Sequence, residues 1–396
     1  MLMKKILLII SLLILICLRE AQAQPLSDTT VYLITCGPGT DTYSIYGHSA
    51  IRIYIPKNNS DMVYNWGVFD FNAPNFAWKF AKGRLDYFVR EDSLKDFLGE
   101  YIIEQRYVYS QRMNINPEET KKMVSLIYEN IKPENATYKY DFFYDDCSTR
   151  IRDIFEKSVG VKLLYPPTET GEMPTFRNLV SKYQYPYQWL QFGIDLIMGS
   201  TSDKKASYRD RMFLPLDMQK ELSETVVNRT GKMIPLLQNP QMILDFPAPS
   251  MRQNFFISPV FVFTLILILI IIMSVWLKNK RIINAIDILI FSIFSLLAIL
   301  MIFFGFFTDH VQMKWNLNIL WLNPIILLCL SSLILKREGK IWFRIVFYLS
   351  ASFLLLHVIL PQEFEISFLP LVMIILIRSL FRGRFEWNPL APLTKL

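Results

Sequence analysis

Histidine and cysteine are scarce in this chain: three histidines and four cysteines among 396 residues. They form no cluster with metal-ligand spacing, so no metal site is expected. Neither a G-x-x-x-x-G-K loop nor a dinucleotide fingerprint occurs, and no cofactor is expected. Basic residues outnumber acidic ones, 42 to 35, without forming a compact patch. Many of them flank apolar stretches, so membrane topology accounts for them better than nucleic acid does, and no nucleic-acid partner is expected. What the chain has in excess is apolar side chain: 52% of residues are hydrophobic, with 30 phenylalanines. That is too apolar for one soluble domain. The length allows a folded domain of roughly 200 residues plus a membrane part.

The first 23 residues read as a secretory signal. Lys4 and Lys5 precede an apolar core from Ile6 to Leu18, and Ala21-Gln22-Ala23 is a small-x-small cleavage site. The apolar run is shorter than the ~20 residues of a span, which favours cleavage over an uncleaved anchor. Cys17 lacks the small residues that precede a lipoprotein cysteine. Residues 24–250 are of mixed polarity and form the expected exported domain, closed by the linker Pro247-Ala248-Pro249. Five apolar stretches follow within 256–384, near 257–277, 283–307, 317–335, 341–361 and 366–381. Lys278, Lys280 and Arg281 follow the first stretch, Lys336, Arg337, Lys340 and Arg344 the third, and Arg378, Arg382 and Arg384 the fifth. The positive-inside rule then puts these loops and the tail 385–396 in the cytoplasm and the exported domain on the other side of a bacterial inner membrane.

Within the exported domain the pattern is α+β. Thr30–Cys36 is an expected strand, 49–69 a hairpin turning at Lys57-Asn58-Asn59-Ser60, 106–113 a further strand and 118–130 a helix. Residues 189–198 are unusually apolar, fit either for the core or for the outer membrane face.

Chemistry concentrates in two short segments. In Asp145-Asp146-Cys147-Ser148-Thr149-Arg150, the following Ile151, Ile154, Phe155 and Val159 are spaced for an amphipathic helix ending at Gly160. Asp146 is a natural N-cap, which puts Cys147 in the first helical turn. The free N–H groups and macrodipole there favour a thiolate and an oxyanion. The domain's one histidine, His48, lies in Tyr46-Gly47-His48-Ser49-Ala50, at the mouth of the hairpin. It is the only base of suitable pKa for Cys147. Asn65, on the adjacent strand, is either the group that orients the imidazole or a polar strand residue bound to backbone. Tyr46, Asp146, Ser148 and Arg150 are candidate site-lining or oxyanion residues. Cys36 is the other cysteine of the domain, and a Cys36–Cys147 disulfide is the structural alternative to a catalytic thiol. His310 falls in an outside loop and His357 near the outer end of the fourth stretch, where each is either functional or interfacial.

Histidine on a hairpin strand, followed by cysteine at a helix start, resembles the circularly permuted branch of the NlpC-type papain-like superfamily. Lecithin:retinol acyltransferase belongs to that branch and forms acyl-thioesters on its cysteine. More closely, Tyr46-Gly47-His48-Ser49-Ala50-Ile51-Arg52, Tyr64-Asn65-Trp66-Gly67 and Tyr140 to Arg150 resemble the periplasmic domain of the Lnb-type lipoprotein N-acyltransferases, whose C-terminal half spans the membrane. The resemblance implies a permuted papain-like α+β domain followed by an all-α five-span domain. It implies Cys147 and His48 as the catalytic pair. The expected activity is acyl transfer from a membrane phospholipid, through a Cys147 thioester, to the α-amine of a lipoprotein's lipid-modified N-terminal cysteine. A cell-wall peptidase or amidase, a phospholipase, and a membrane-tethered binding or scaffold protein are the alternatives.

Overall fold

The computed structural model describes residues 28–166, 173–250 and 253–383, so the expected signal peptide and the tail 385–396 lie outside the described residues. Strands β1 (Thr30–Cys36), β2 (His48–Ile55) and β3 (Ser60–Val68) come first. Helix α1 (Phe76–Ala81), β4 (Asp86–Ser93), α2 (Leu94–Ile103), β5 (Val108–Arg112), α3 (Pro117–Asn130), β6 (Thr137–Lys139) and α4 (Cys147–Val159) follow. Next come β7 (Leu163–Leu164), α5 (Phe176–Gln184), α6 (Gln188–Ile197), α7 (Tyr208–Arg211), α8 (Pro215–Glu224), β8 (Val226–Arg229), β9 (Lys232–Pro235) and β10 (Gln241–Leu244). The apolar part contains α9 (Pro259–Trp276), α10 (Lys280–Phe306), α11 (Ile325–Ile334), α12 (Lys340–Leu356) and α13 (Phe368–Gly383).

Seven strands form one antiparallel sheet in the order β10-β5-β1-β2-β3-β4-β6, and β7-β8-β9 form a small second sheet. The hairpin β2–β3 turns at Pro56–Asn58 and Asn59, whose φ of 52° is the left-handed value that asparagine tolerates. Period-2 alternation divides the sheet into two faces. Leu33, Ile51, Ile53, Tyr64 and Trp66 pack with Met123 and Ile127 of α3 and with Ile151, Ile154 and Phe155 of α4. Ile34, Cys36, Ala50 and Val63 pack on the other face with Phe97 and Tyr101 of α2. Met218 and Leu222 of α8 join the first face, and β10 closes the sheet edge beyond β5, so the chain up to residue 244 is built around one sheet.

Among the described residues, three helices are long and apolar enough to cross a membrane: Pro259–Trp276, Lys280–Phe306 and Lys340–Ile359. The stretch expected at 317–335 is not one straight helix. The segment Val311–Leu320 and helix α11 meet at a 54° bend that contains Asn323-Pro324. Proline lacks an N–H and restricts the residue before it, so it starts α11 rather than continuing a helix through that point. Helix α13 has 16 residues and packs along α12 and α9. Asp287, fully buried on α10, is held by Arg378 Nε (2.6 Å) and Arg382 Nε (2.5 Å) of α13. A buried carboxylate in an apolar bundle is tolerated only when paired in this way, and the cluster fixes α13 to α10.

Two loops of the apolar part dock onto the exported domain. Asp309 N–H donates to Lys82 O (2.9 Å), Gly199 N–H to Gln312 O (2.9 Å), and Asn178 Nδ2 to Glu363 (2.8 Å). The apolar stretch 189–198 explains the rest of the junction. Trp189 and Phe192 of α6 meet Phe263 of α9 at 5.5 and 5.1 Å, and Leu196 belongs to the core of the apolar helices. That stretch is partly domain core, through Ile194 and Met198, and partly joins the two parts, through Trp189, Phe192 and Leu196. Arg177 secures it, fully paired with Asp195 and Asp203 and donating to the carbonyls of Met198 and Gly199.

Candidate active site

Cys147 begins α4, and the cap expected at Asp146 is present. Its carboxylate accepts from Ser148 N (2.9 Å) and Thr149 N (2.8 Å), while Thr149 Oγ1 accepts from Asp146 N (2.7 Å). This capping box consumes two of the first-turn donors. The Cys147 N–H is therefore the helix-start donor left for an oxyanion, and Ser148 N–H is spent on the cap.

Near the sulfur lie the backbone N–H of Ser49 and the hydroxyls of Ser148 and Tyr140. The Ser148 hydroxyl lies 3.8 Å from Sγ and also donates to Ser49 Oγ (3.3 Å). Burial pushes the Cys147 thiol up, against those donors. Burial therefore works against the thiolate expected from the helix start. Asp146 is itself buried, which raises its carboxyl well above the usual range; the neighbouring Cys147 adds to the rise and the cap bonds oppose it.

His48 is the first residue of β2, and its Nε2–H donates to Asn65 Oδ1 at 2.5 Å. Asn65 is buried, and of the two readings left open for it, the structure has the side chain on the imidazole. With the proton on Nε2, Nδ1 carries the lone pair. Burial lowers the His48 pKa to about 4; the Asn65 bond opposes this and the charge of Arg106 adds to it. At neutral pH the ring is an uncharged base.

No hydrogen bond joins His48 to Cys147. Strand register explains the arrangement. Ser49 faces α4, whereas His48 pairs with Cys36 on the α2 face. The sulfur touches the N–H of the residue next to His48, at the very end of the strand. Two glycines open this corner. At Gly47 (φ 83°) a Cβ would lie 2.8 Å from Cys36 O. At Gly67 (φ 87°) it would lie 3.3 Å from the Tyr140 ring and 3.6 Å from Cys147 Cβ. Side chains are excluded at both places, which leaves the corner lined by backbone; His48 lies with Cys36 on the α2 face and Cys147 on the α4 face, so the structure does not bring the imidazole and the thiol into contact. Catalytic hydrogen bonds are often long before substrate binds.

Cys36 and Cys147 are both free. They belong to cores on opposite faces of the sheet and form no disulfide in this structure, and the same division sets His48 apart from Cys147. Burial raises the Cys36 thiol to about 12.

The remaining candidates support the site rather than line it. Tyr46 OH accepts from Gln184 Nε2 (2.7 Å), not from the site. Arg150 makes two bonds to Asp145 (2.6 and 2.8 Å) and lies 3.5 Å over the Tyr138 ring, bracing the turn before Cys147. His357 hydrogen-bonds within its own turn, to Leu354 O. His310 is closer to the chemistry: it stacks on Phe142 (5.5 Å) and bonds Phe80 O (3.0 Å).

Three contributors escaped sequence reasoning. Tyr140 reaches the sulfur, Ser49 supplies a backbone donor, and Gln312 from the apolar part donates to Asp141 Oδ1 (2.7 Å). Asp141 in turn accepts from Phe143 N and Tyr144 N, so a loop between α10 and α11 clamps the turn that presents Cys147. Only Tyr140 carried a signal, through its place in the motif before the cysteine. Among the described residues, no group of three or more His, Cys, Asp or Glu forms a metal site.

Residues 20–182 match the family model of the Lnb N-terminal periplasmic domain, and residues 251–387 match that of the Lnb transmembrane domain. Together the two models cover about three quarters of the chain. No curated protein and no solved structure matches the chain.

Proposed function

The chain belongs to the Lnb family, a membrane protein of lipoprotein maturation, and from that premise we propose that it is a lipoprotein N-acyltransferase working through a Cys147 thioester. The observation that carries the reading is the corner at the start of β2. There, a helix-start thiol meets the backbone N–H of Ser49, the residue that follows a histidine whose Nε2 is fixed by Asn65.

His48 Nδ1 takes the proton of the Cys147 thiol as sulfur attacks an ester carbonyl of a phospholipid. The carbonyl oxygen becomes an oxyanion facing the Cys147 N–H. The C–O bond breaks, His48 returns the proton to the departing glycerol oxygen, and a lysophospholipid leaves. The α-amine of the lipoprotein's diacylglyceryl cysteine then attacks the thioester. His48 takes a proton from the amine, the C–S bond breaks, and the proton returns to sulfur. Ester is converted to amide, which is downhill, so no ATP is needed. Asn65 keeps the imidazole in the tautomer that has its base at Nδ1.

Both substrates reside in the membrane, which gives a reason for a papain-like domain docked on apolar helices. In this reading the chain is a five-span inner-membrane protein, α11 and α13 completing the bundle. The exported domain lies in the periplasm, and the basic loops and C-terminus lie in the cytoplasm. The docking of loops 307–316 and 361–365 on the exported domain supports that orientation. A peptidase or amidase using the same pair would not need the spans. A phospholipase would share the first half-reaction and differ only in the acceptor. A scaffold reading loses its ground with the disulfide.

The test is mass spectrometry of lipoprotein N-termini from cells lacking this protein and any redundant enzyme. Wild type is expected to restore N-acylation and Cys147→Ala to leave it absent. Full acylation without the protein contradicts the function, and restoration by Cys147→Ala contradicts the mechanism.

A further inference from the structure

Aromatic side chains run from the sulfur to helix α1, whose Trp78 packs on a span. Tyr140, at Cys147, stacks on Tyr87 at 4.5 Å, and Tyr87 meets Phe69 at 5.2 Å. Phe69 contacts Phe71 (4.7 Å) and Phe76 (5.9 Å), and Phe76 stacks on Phe80 (6.1 Å). From the same short helix α1, Trp78 packs at 5.5 Å on Phe303, near the docked end of α10. Several of these rings lie open: Phe71 is 60% exposed, Trp78 55% and Phe80 42%. So much exposed aromatic surface on one segment marks a binding surface rather than unfilled core.

Its two ends identify the occupant. At one end the track reaches helix α1, whose Trp78 packs on a membrane-spanning helix. Lys82 Nζ lies 4.7 Å over the Trp78 ring there, with Lys79 beside it on α1. Tryptophan flanked by lysine is the usual composition at lipid headgroups, where the ring sits at the interface and the ammonium meets phosphate. At the other end the track stops at the nucleophile. A surface that begins at the bilayer and ends at a buried thiol fits a long apolar chain carrying an ester.

We infer that the segment 69–82 is the acyl-chain path of the enzyme: Trp78 and Phe80 meet the outer leaflet, and Phe76, Phe71 and Phe69 carry a phospholipid acyl chain to Tyr140 and Cys147. The inference rests on the acyl-transfer reading above, and its test separates the two.

Full-length protein is reconstituted in phosphatidylethanolamine–phosphatidylglycerol vesicles. These are doped with a phosphatidylethanolamine bearing a diazirine near the end of its acyl chain. Irradiation is expected to leave adducts on peptides covering 69–82, in wild type and in Cys147→Ala alike, since binding needs no chemistry. Adducts on the spans alone overturn the path. In a second arm, Phe71→Ser and Phe80→Ser are compared for Cys147 thioester formation from palmitoyl and hexanoyl phospholipids. The palmitoyl-to-hexanoyl rate ratio is expected to fall about tenfold, the scale of one lost aromatic contact. An unchanged ratio overturns the path while leaving acyl transfer intact. Adducts at 69–82 with no thioester from any donor overturn the acyl-transfer reading and leave a lipid site.

Discussion

A single ring governs the chemistry at the β2 corner, and its protonation is directly measurable. Burial lowers the His48 pKa from 6.5 to about 4, helped by Arg106 and Arg90 and opposed by Asn65 and Glu100. The free-energy difference between the two protonation states is then about 3 kcal/mol. The sign follows from linkage. The unfolded chain takes up the proton at about pH 6.5 and the folded one only near 4. The folded form therefore keeps this contribution in full above pH 6.5 and loses it progressively as the pH falls toward 4. The protein has three histidines, so selective 15N-histidine labelling gives three pairs of ring nitrogen signals, with His48→Gln assigning one pair. The His48 ring is expected to stay neutral, protonated on Nε2, down to about pH 5 and to titrate near 4. In Asn65→Ala the bond that favours the cation is gone, so the midpoint moves lower still and the tautomer is no longer fixed. A midpoint at or above 6.5 in the wild type would refute the burial argument. An unchanged Nε2–H signal in Asn65→Ala would refute the assigned role of Asn65.

Asp146→Ala removes an acceptor from two first-turn N–H groups in a buried setting; a loss of about 2 kcal/mol is expected in denaturant titration, less for Asp146→Asn, which keeps an acceptor. Gly67→Ala forces a side chain onto a backbone at φ 87° and against the Tyr140 ring. It is expected to slow thioester formation by about tenfold or more, from a strain of roughly 1–2 kcal/mol. Gln312→Leu cuts the hydrogen bond that clamps Asp141. The expected result is about a fivefold slower acylation with unchanged circular dichroism, matching the roughly 1 kcal/mol of such a bond.

Much of this was legible where the signal is local. Strand β1 falls on Thr30–Cys36 as its apolar run requires, and α3 on Pro117–Asn130, one residue before the expected start. The cap at Asp146 could be read from one residue and the helical pattern behind it. The register that brings Asn65 to His48 follows from the hairpin and its turn. Long-range contacts were not legible. Strand β10 returns to β5 from far along the chain, and Gln312 reaches Asp141 from beyond the second span; neither leaves a local pattern. The break at Asn323-Pro324 was written in the sequence but masked by apolar neighbours on both sides. The state of Cys147 needed depth of burial, which no helix-start rule supplies. The helix start argues for a thiolate, and burial works against it.

The central claim is that Cys147 carries the acyl group between donor and acceptor. Intact-protein mass spectrometry tests it on full-length enzyme held with phospholipid and no lipoprotein. Wild type is expected to gain one acyl mass, released by neutral hydroxylamine, mapped to Cys147 and discharged on adding a diacylated lipopeptide. Cys147→Ala is expected to gain none. Acyl transfer to the lipopeptide with no adduct at any stage, or with an adduct that survives in Cys147→Ala, would contradict the account.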